Sequence, residues 1–164
     1  MTRLPYLAGY PPELLSRVEH LLEAGELGPS LAARYPGSHE VRTNKALSAY
    51  VQELKARHMR TAAPLGLIQF DKRLHVVQKA LGIHITTTRV QGNRLRKRRE
   101  LRVASLFKNT PPEFLRMIVV HELAHMKHAQ HDRDFYKLCT FMEPDYHQLE
   151  LDLRLYLTAQ EWSD

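Results

Sequence analysis

The sequence contains a single cysteine, Cys139, among its 164 residues. One thiol excludes an internal disulfide and is typical of a reducing compartment. Long apolar runs are absent as well, since no segment approaches the roughly 18 consecutive apolar residues that a membrane-spanning helix needs. The first residues are interrupted early by proline and have no apolar core of signal-peptide length. These absences predict a soluble, cytoplasmic protein that does not enter a membrane.

The composition, 43% apolar and 26% charged, is ordinary for a globular protein. A chain of 164 residues is long enough for one domain with a proper core, and too short for two comfortable ones. Within this domain, residues 1–70 are predicted to be a helical region of unassigned role. Residues 71–164 contain the motifs described below and are predicted to form the functional core. We expect a monomer.

The positive charge is concentrated in one segment. The formal net charge is +6, and Gln91–Val103 holds six basic residues against one acid, a local balance of +5. Such a segment forms either a solvated hairpin or a nucleic-acid contact, although it lacks the aromatic residues that single-strand binders use for stacking. Nucleic acid is therefore a partner hypothesis here, and its contacts would be Arg94, Arg96, Lys97, Arg98 and Arg99.

The spacing of apolar residues predicts an α+β fold. Helices are predicted at 12–24, at 44–62 with Asn44 as the N-cap, and at 71–81, and again after Pro111, after Asp132 and near Asp145. The segments Ile83–Val90 and Leu101–Phe107 have the composition of strands, and we expect them to pair antiparallel around the basic segment. The helix after Pro111 is apolar on nearly every side, which predicts that it is buried.

The stretch VVHELAHMKHAQHDRDF, from Val119 to Phe135, contains the pattern H-E-x-x-H at His121, Glu122 and His125. Residues four apart on a helix are separated by about 40° and about 6 Å, so both imidazoles can reach one Zn²⁺. Glu122 lies beside them, where it can act on a metal-bound water. The alternative is a helix that is merely rich in histidine. The apolar neighbours argue against it, because a buried carboxylate without a partner costs several kcal/mol.

A catalytic zinc usually has three protein ligands, so a third must be found. On a continuing helix His128 would lie about 10 Å along the axis from His121, too far to share the metal. His131 can reach it if the helix stops near His128, and it is the favoured third ligand. The resulting pattern, H-E-x-x-H-x5-H, has the spacing found in metzincins, where a glycine makes the turn; His128 occupies that position here, and histidine tolerates left-handed backbone better than most residues. The rival ligands are three acids of the following segment: Glu143, Asp145 and Glu150.

The stretch PPEFLRMIVVHELAHMKHAQHDRDFYKLCTFMEPDYHQLELDL, from Pro111 to Leu153, resembles the YgjP-like zinc metallopeptidases. Members of that family typically have a helix led by two prolines, H-E-L-x-H, five residues, a histidine and an F-[WY] pair. The WLM and SprT metallopeptidases share the H-E-x-x-H-x5-H element. The resemblance covers about Ile83 to the C-terminus. It implies a zincin-like fold, in which a small antiparallel sheet packs on a buried active-site helix with flanking helices.

The resemblance also implies a zinc-dependent peptidase. In that mechanism His121, His125 and His131 ligate one Zn²⁺. Glu122 takes a proton from the zinc-bound water, which attacks a peptide carbonyl, and returns the proton to the leaving nitrogen. The substrate is then a peptide or protein, expected to pair with the edge of the sheet.

Two further residues follow a turn that is similar in the family and are candidates for stabilising the oxyanion: Tyr146 and His147. Asp132 is expected to cap the next helix or to support a ligand histidine. Two alternatives to a plain peptidase stay open. One is a nucleic-acid-associated protease of the SprT or WLM kind, tethered by the basic segment. The other is a non-catalytic metal-binding module, in which Glu122→Gln would change no activity.

Overall fold

The computed structural model describes residues 4–77, 84–86 and 100–163. Within these ranges the chain forms six α-helices and four short strands, an α+β fold consistent with the zincin-like expectation. The helices are α1 (Pro12–Glu23), α2 (Leu27–Arg34), α3 (Asn44–His58), α4 (Pro112–Ala124), α5 (Arg133–Met142) and α6 (Tyr146–Ser163). The strands are β1 (Leu67–Asp71), β2 (His75–Val77), β3 (His84–Thr86) and β4 (Glu100–Ala104).

Helix α4 lies at the centre of the main core, as its sequence predicted. Nine of its 13 residues are buried, because the helix has no continuous polar face to present to water. Pro112 occupies its first turn, where the missing N–H leaves no hydrogen bond unmade. Helix α4 packs against α3, α5, α6 and β4, which surround it on several sides. The end of this helix, where the histidines lie, is therefore fixed by the core.

The helices before residue 70 pack onto the rest of the chain. A second cluster of buried leucines and Val18 joins α1 and α2 to one side of α6. Arg154 of α6 is buried and donates to the backbone carbonyl of Tyr6 at 2.7 Å. Asp152 of α6, also buried, accepts hydrogen bonds from Arg34 and Tyr35 at the end of α2. Polar contacts as well as apolar burial thus tie the first helices to α6.

The strand pairing corrects the predicted sheet. We expected Leu101–Phe107 to pair antiparallel with Ile83–Val90, but β4 pairs parallel with β1, from Leu67 opposite Glu100 to Asp71 opposite Ala104. The antiparallel pair is instead β2 with β3. Parallel pairing is accessible because the connection from β1 to β4 is long enough for a crossover. The prediction failed because β1, only five residues long, was not recognised as a strand.

The helix predicted at 71–81 is also wrong, since residues 75–77 form β2. The Asp71 carboxylate accepts a hydrogen bond from the backbone N–H of Arg73 at 2.8 Å, which closes a turn between β1 and β2. Of the predicted strand 83–90, residues 84–86 are strand, and the remainder lies outside the described residues. The segment from 91 to 99, with the five predicted nucleic-acid contacts, lies outside them as well.

The second predicted helix, α3, has a different N-cap from the one that the sequence predicted. Thr43 rather than Asn44 is the N-cap, and its hydroxyl accepts from the backbone N–H of Ala46 at 3.1 Å. The Asn44 side chain instead accepts from the backbone N–H of Phe70 at 2.9 Å, which satisfies a donor on β1. Helix α3 ends at His58. None of the helices in the described part of the chain has the length and apolar character needed to cross a membrane.

Candidate metal centre and active site

The third histidine reaches the other two because α4 stops at Ala124. His125 is the C-cap, and the following backbone N–H groups of Met126 and His128 bond to the carbonyls of Leu123 and Ala124 at 3.0 Å. The left-handed backbone that His128 could tolerate is not used, because no described residue other than glycine has a positive φ. The chain turns through ordinary right-handed conformations, so no glycine is required at this position.

The turn places His131 against His125. Their Nε2 atoms are 3.0 Å apart, and one ring nitrogen from each of His121, His125 and His131 lies within 4.8 Å of the others. A search of the described residues for clustered histidine, cysteine and acidic side chains finds these three close enough together to hold one metal ion. The three rival acids do not join this group. One of them, Glu143, bonds instead to the guanidinium of Arg116 at 2.8 Å.

The hydrogen bonds of His125 show which nitrogen is available to a metal. Its Nδ1 is 3.0 Å from the carbonyl oxygen of His128. A carbonyl only accepts, so Nδ1 of a neutral ring must donate, and the lone pair then lies on Nε2. That Nε2 faces the Nε2 of His131 at 3.0 Å. Converging imidazole nitrogens are a donor set that Zn²⁺ and similar divalent ions prefer, so these residues fit a metal ion.

His121 is supported from a different side. It is 1% exposed, and its Nδ1 lies 2.8 Å from the hydroxyl of Tyr146, which is itself fully buried. Burial raises the pKa of Tyr146 well above its usual range, so the phenol stays protonated. The contact places Tyr146 beside a histidine of the site. Its suggested role in stabilising an oxyanion stays a prediction.

A phenylalanine that sequence reasoning missed forms the floor of the cluster. The Phe135 ring is fully buried, and its centroid lies 5.1 Å from that of His121, 4.6 Å from that of His125 and 4.9 Å from that of His131. The spacing could have revealed it, because Phe135 follows His131 by four residues at the start of α5. Its ring packs against all three histidine rings.

Asp132 holds this phenylalanine in place. Its carboxylate accepts from the backbone N–H of Phe135 at 2.9 Å, so the predicted N-cap of α5 is confirmed. The cap fixes the point at which α5 begins, two residues after His131. The sharp turn from His131 into α5 is thus stabilised locally, next to the histidine that must be held back against α4.

Glu122 lies between the two helical histidines in sequence and is partly buried. Its apolar surroundings raise the pKa of the carboxyl to about 8. A cation in the neighbouring histidine cluster would favour the charged form and oppose this shift. A carboxyl whose protonation is this sensitive to a nearby ion is suited to accept and return a proton.

His147, the other candidate for the oxyanion, is exposed at the start of α6, and its ring centroid lies 5.3 Å from that of Tyr136. Tyr136 belongs to α5 and lies next to His131, at 6.3 Å between centroids. The two aromatic side chains therefore border the histidine cluster on the side of α5 and α6. The oxyanion role of His147 stays a prediction.

Comparison with known proteins adds two findings. Residues 29–156 match the family model described as YgjP-like, metallopeptidase domain. A relative from Escherichia coli (strain K12), named UTP pyrophosphatase, is 52% identical over 158 residues, which cover 96% of this chain and 95% of the relative. No solved structure matches the chain significantly. The family match contains the three histidines, Glu122 and Tyr146, and it extends over most of the sequence. This chain therefore belongs to the YgjP-like family of metallopeptidase domains.

Proposed function

We propose that the protein is a metal-dependent hydrolase, with zinc as the expected metal, whose substrate is a nucleoside triphosphate such as UTP. The observation that supports the hydrolase is the convergence of three histidine nitrogens within 4.8 Å, next in sequence to a carboxyl with a raised pKa. The substrate class is supported by the relative named UTP pyrophosphatase. Two chains that are 52% identical over 96% of this one are expected to share their active-site residues.

Each residue of the site has a defined task in this reaction. His121, His125 and His131 would hold the metal, and the metal would supply Lewis-acid activation of water and of a substrate oxygen. Glu122 accepts a proton from the attacking water at a carboxylate oxygen. The balanced reaction is UTP plus water giving UMP plus pyrophosphate, with the bond between the α- and β-phosphates broken. The leaving pyrophosphate carries away the negative charge that forms.

The overall charge suits such a substrate. The net charge is +6, and nearly all of the excess lies in Gln91–Val103, with six basic residues against one acid. A triphosphate is attracted by basic side chains, and Arg forms paired hydrogen bonds to phosphate oxygens. The same composition was the reason to consider nucleic acid as a partner, and that hypothesis stays a prediction.

The experiment follows pyrophosphate release from UTP by zinc-loaded protein, with Glu122→Gln as the test variant. We expect the rate to fall about 10²–10⁴-fold, the usual contribution of a general base, while the zinc content stays unchanged. The matched control is Glu53→Gln, an exposed carboxylate of α3 that pairs with Arg57. In ¹⁸O-labelled water the label should appear in UMP. Wild-type protein that holds zinc but releases no pyrophosphate from any nucleoside triphosphate would contradict this substrate class.

Peptide hydrolysis is the second candidate, because the family model that matches residues 29–156 is described as a metallopeptidase domain. The same residues would act on a peptide carbonyl, with Glu122 returning its proton to the leaving nitrogen. A quenched-fluorescent peptide library incubated with the same preparations separates the two candidates. Cleavage that disappears in Glu122→Gln supports the peptidase. Folded, metal-loaded wild-type protein that catalyses neither reaction would instead be a non-catalytic metal-binding module.

A further inference from the structure

Two buried side chains face each other beside the histidine cluster. The hydroxyl of Tyr146 lies 2.8 Å from Nδ1 of His121. His121 is 1% exposed and Tyr146 is fully buried. Because buried polar groups are almost always hydrogen-bonded, the direction of this hydrogen bond decides which nitrogen of His121 carries the proton.

Two directions are chemically possible, because a phenol hydroxyl can donate its one proton or accept at its oxygen. If the hydroxyl accepts from Nδ1–H of His121, the remaining lone pair of that imidazole is on Nε2, and this nitrogen can bind a metal. If the hydroxyl donates to Nδ1, the imidazole proton is on Nε2, and neither nitrogen can then bind a metal. The convergence of one ring nitrogen from each of the three histidines within 4.8 Å therefore favours the first direction.

The position of the hydroxyl is set by the start of α6. Tyr146 is the first residue of this helix, and its backbone N–H donates to the carbonyl of Glu143 at 2.9 Å. The carboxylate of Glu143 accepts from the backbone N–H of Asp145 at 2.9 Å and from Arg116 of α4 at 2.8 Å. The helix that bears His121 is therefore tied directly to the turn that presents Tyr146 to it.

We propose that Tyr146 is a positioning residue that accepts the Nδ1–H of His121 and so holds Nε2 of that histidine towards the metal. This inference rests on the metal site of the proposed function and deepens it. A partner on the far nitrogen of a ligand histidine sets both its tautomer and its ring orientation, and loss of such a partner typically lowers metal affinity about 10–100-fold. Tyr146 therefore acts through His121.

The first test measures zinc affinity by chelator competition in wild type, Tyr146→Phe and Tyr156→Phe. The matched control, Tyr156, is on the same helix but packs against Phe114. We expect Tyr146→Phe to bind zinc about 10–100-fold more weakly and Tyr156→Phe to bind it like the wild type. Unfolding of the three metal-free proteins shows whether stability alone explains the loss. Unchanged zinc affinity in folded Tyr146→Phe would overturn the proposal.

A second measurement needs no variant. In zinc-loaded wild type labelled with ¹⁵N-histidine, NMR distinguishes the protonated ring nitrogen of each histidine from the one that binds metal. We expect His121 to carry its proton on Nδ1 and to bind zinc through Nε2. Zinc bound to Nδ1 of His121 would overturn the proposal. Neither measurement uses a substrate, so a failure to hydrolyse UTP or peptides would remove the proposed function without changing these results.

Discussion

The ring of Phe135 is predicted to set the metal affinity of the site, and Phe135→Leu isolates its contribution. Leucine keeps most of the buried apolar volume but removes the planar ring on which His121, His125 and His131 pack at 4.6–5.1 Å between centroids. Hydrophobic replacements of similar volume usually cost less than about 1.5 kcal/mol of stability. An aromatic pair adds about 0.5–1.5 kcal/mol beyond its buried area, and the three contacts share one ring.

From these values we expect Phe135→Leu to lose about 1–2 kcal/mol in the free energy of unfolding of the metal-free protein. We also expect about tenfold weaker zinc binding, because about 1.4 kcal/mol of ring contact no longer holds the histidines in the binding arrangement. Phe135→Ala should lose about 3–5 kcal/mol of stability, the usual cost of truncating a buried phenylalanine. That is a large part of the 5–15 kcal/mol available to a domain of this kind.

Denaturant unfolding with and without zinc measures the metal-free stability and the zinc affinity on the same samples. A ligand that binds only the folded state raises the free energy of unfolding, and it raises it more when it binds more tightly. The matched control is Phe107→Leu, a phenylalanine that is equally buried and lies in the 3-10 turn after β4. It should lose a comparable amount of metal-free stability and keep the full stabilisation by zinc. If Phe135→Leu binds zinc as tightly as the Phe107→Leu control, the ring does not preorganise the histidines and the reasoning is refuted.

Two further predictions concern the supports around the site. Asp132→Ala should lower the free energy of unfolding by about 1 kcal/mol in urea, because it removes the N-cap of α5, whereas Asp132→Asn should retain most of the stability; equal losses in both variants would show that the cap is not what the carboxylate provides. Hydrogen bonds from Arg73 hold the pKa of Asp71 at about 2, below its ordinary value of 3.8. The contribution of the ionised Asp71 carboxylate to the free energy of unfolding is therefore fully present above about pH 4–5 and is lost as the pH falls towards 2. Because Arg73 is half exposed and screened by solvent, Asp71→Asn should cost only about 1–2 kcal/mol at pH 7 and almost nothing near pH 2; a difference that does not depend on pH would contradict this assignment.

The elements that the sequence predicted well are those whose signal is local. The buried helix α4, the Asp132 cap and the final helix α6 each follow from apolar spacing or capping residues within a single turn or two. Spacing on the helix also singled out His121 and His125, and it offered His131 as the third ligand with three acids as rivals. The structure brings one ring nitrogen of each of these histidines within 4.8 Å of the others.

The elements that were missed depend on contacts distant in sequence. Strand β1 is short, and it pairs with β4 some 33 residues later, as Leu67 with Glu100 shows. No local pattern distinguishes parallel from antiparallel pairing for such strands. Asn44 is a good helix cap by composition, yet its side chain bonds to Phe70 across 26 positions, while Thr43 caps the helix. Tertiary contacts decide between two locally acceptable roles in each case.

The candidate active site likewise combines features set by local sequence with features set by distant contacts. His121 and His125 are placed by one helix, so their relation could be calculated beforehand. The contacts of Tyr146 with His121 and of Phe135 with all three rings depend on how α5 and α6 pack against α4, which spacing does not reveal. A left-handed turn at His128 proved unnecessary for a related reason. Ending the helix at Ala124 gives the chain more residues for the return, so an ordinary turn suffices.

The most direct test of the account is the zinc content of purified, folded protein, measured by elemental analysis in wild type, His131→Ala and His128→Ala. His128 is the matched control because it lies in the same turn and contributes its backbone carbonyl, which alanine retains. We predict one equivalent of zinc in wild type and in His128→Ala, and its loss or sharp weakening in His131→Ala. Equal zinc in all three proteins would contradict the three-histidine centre, and folded wild-type protein that takes up no zinc would contradict the zinc site itself.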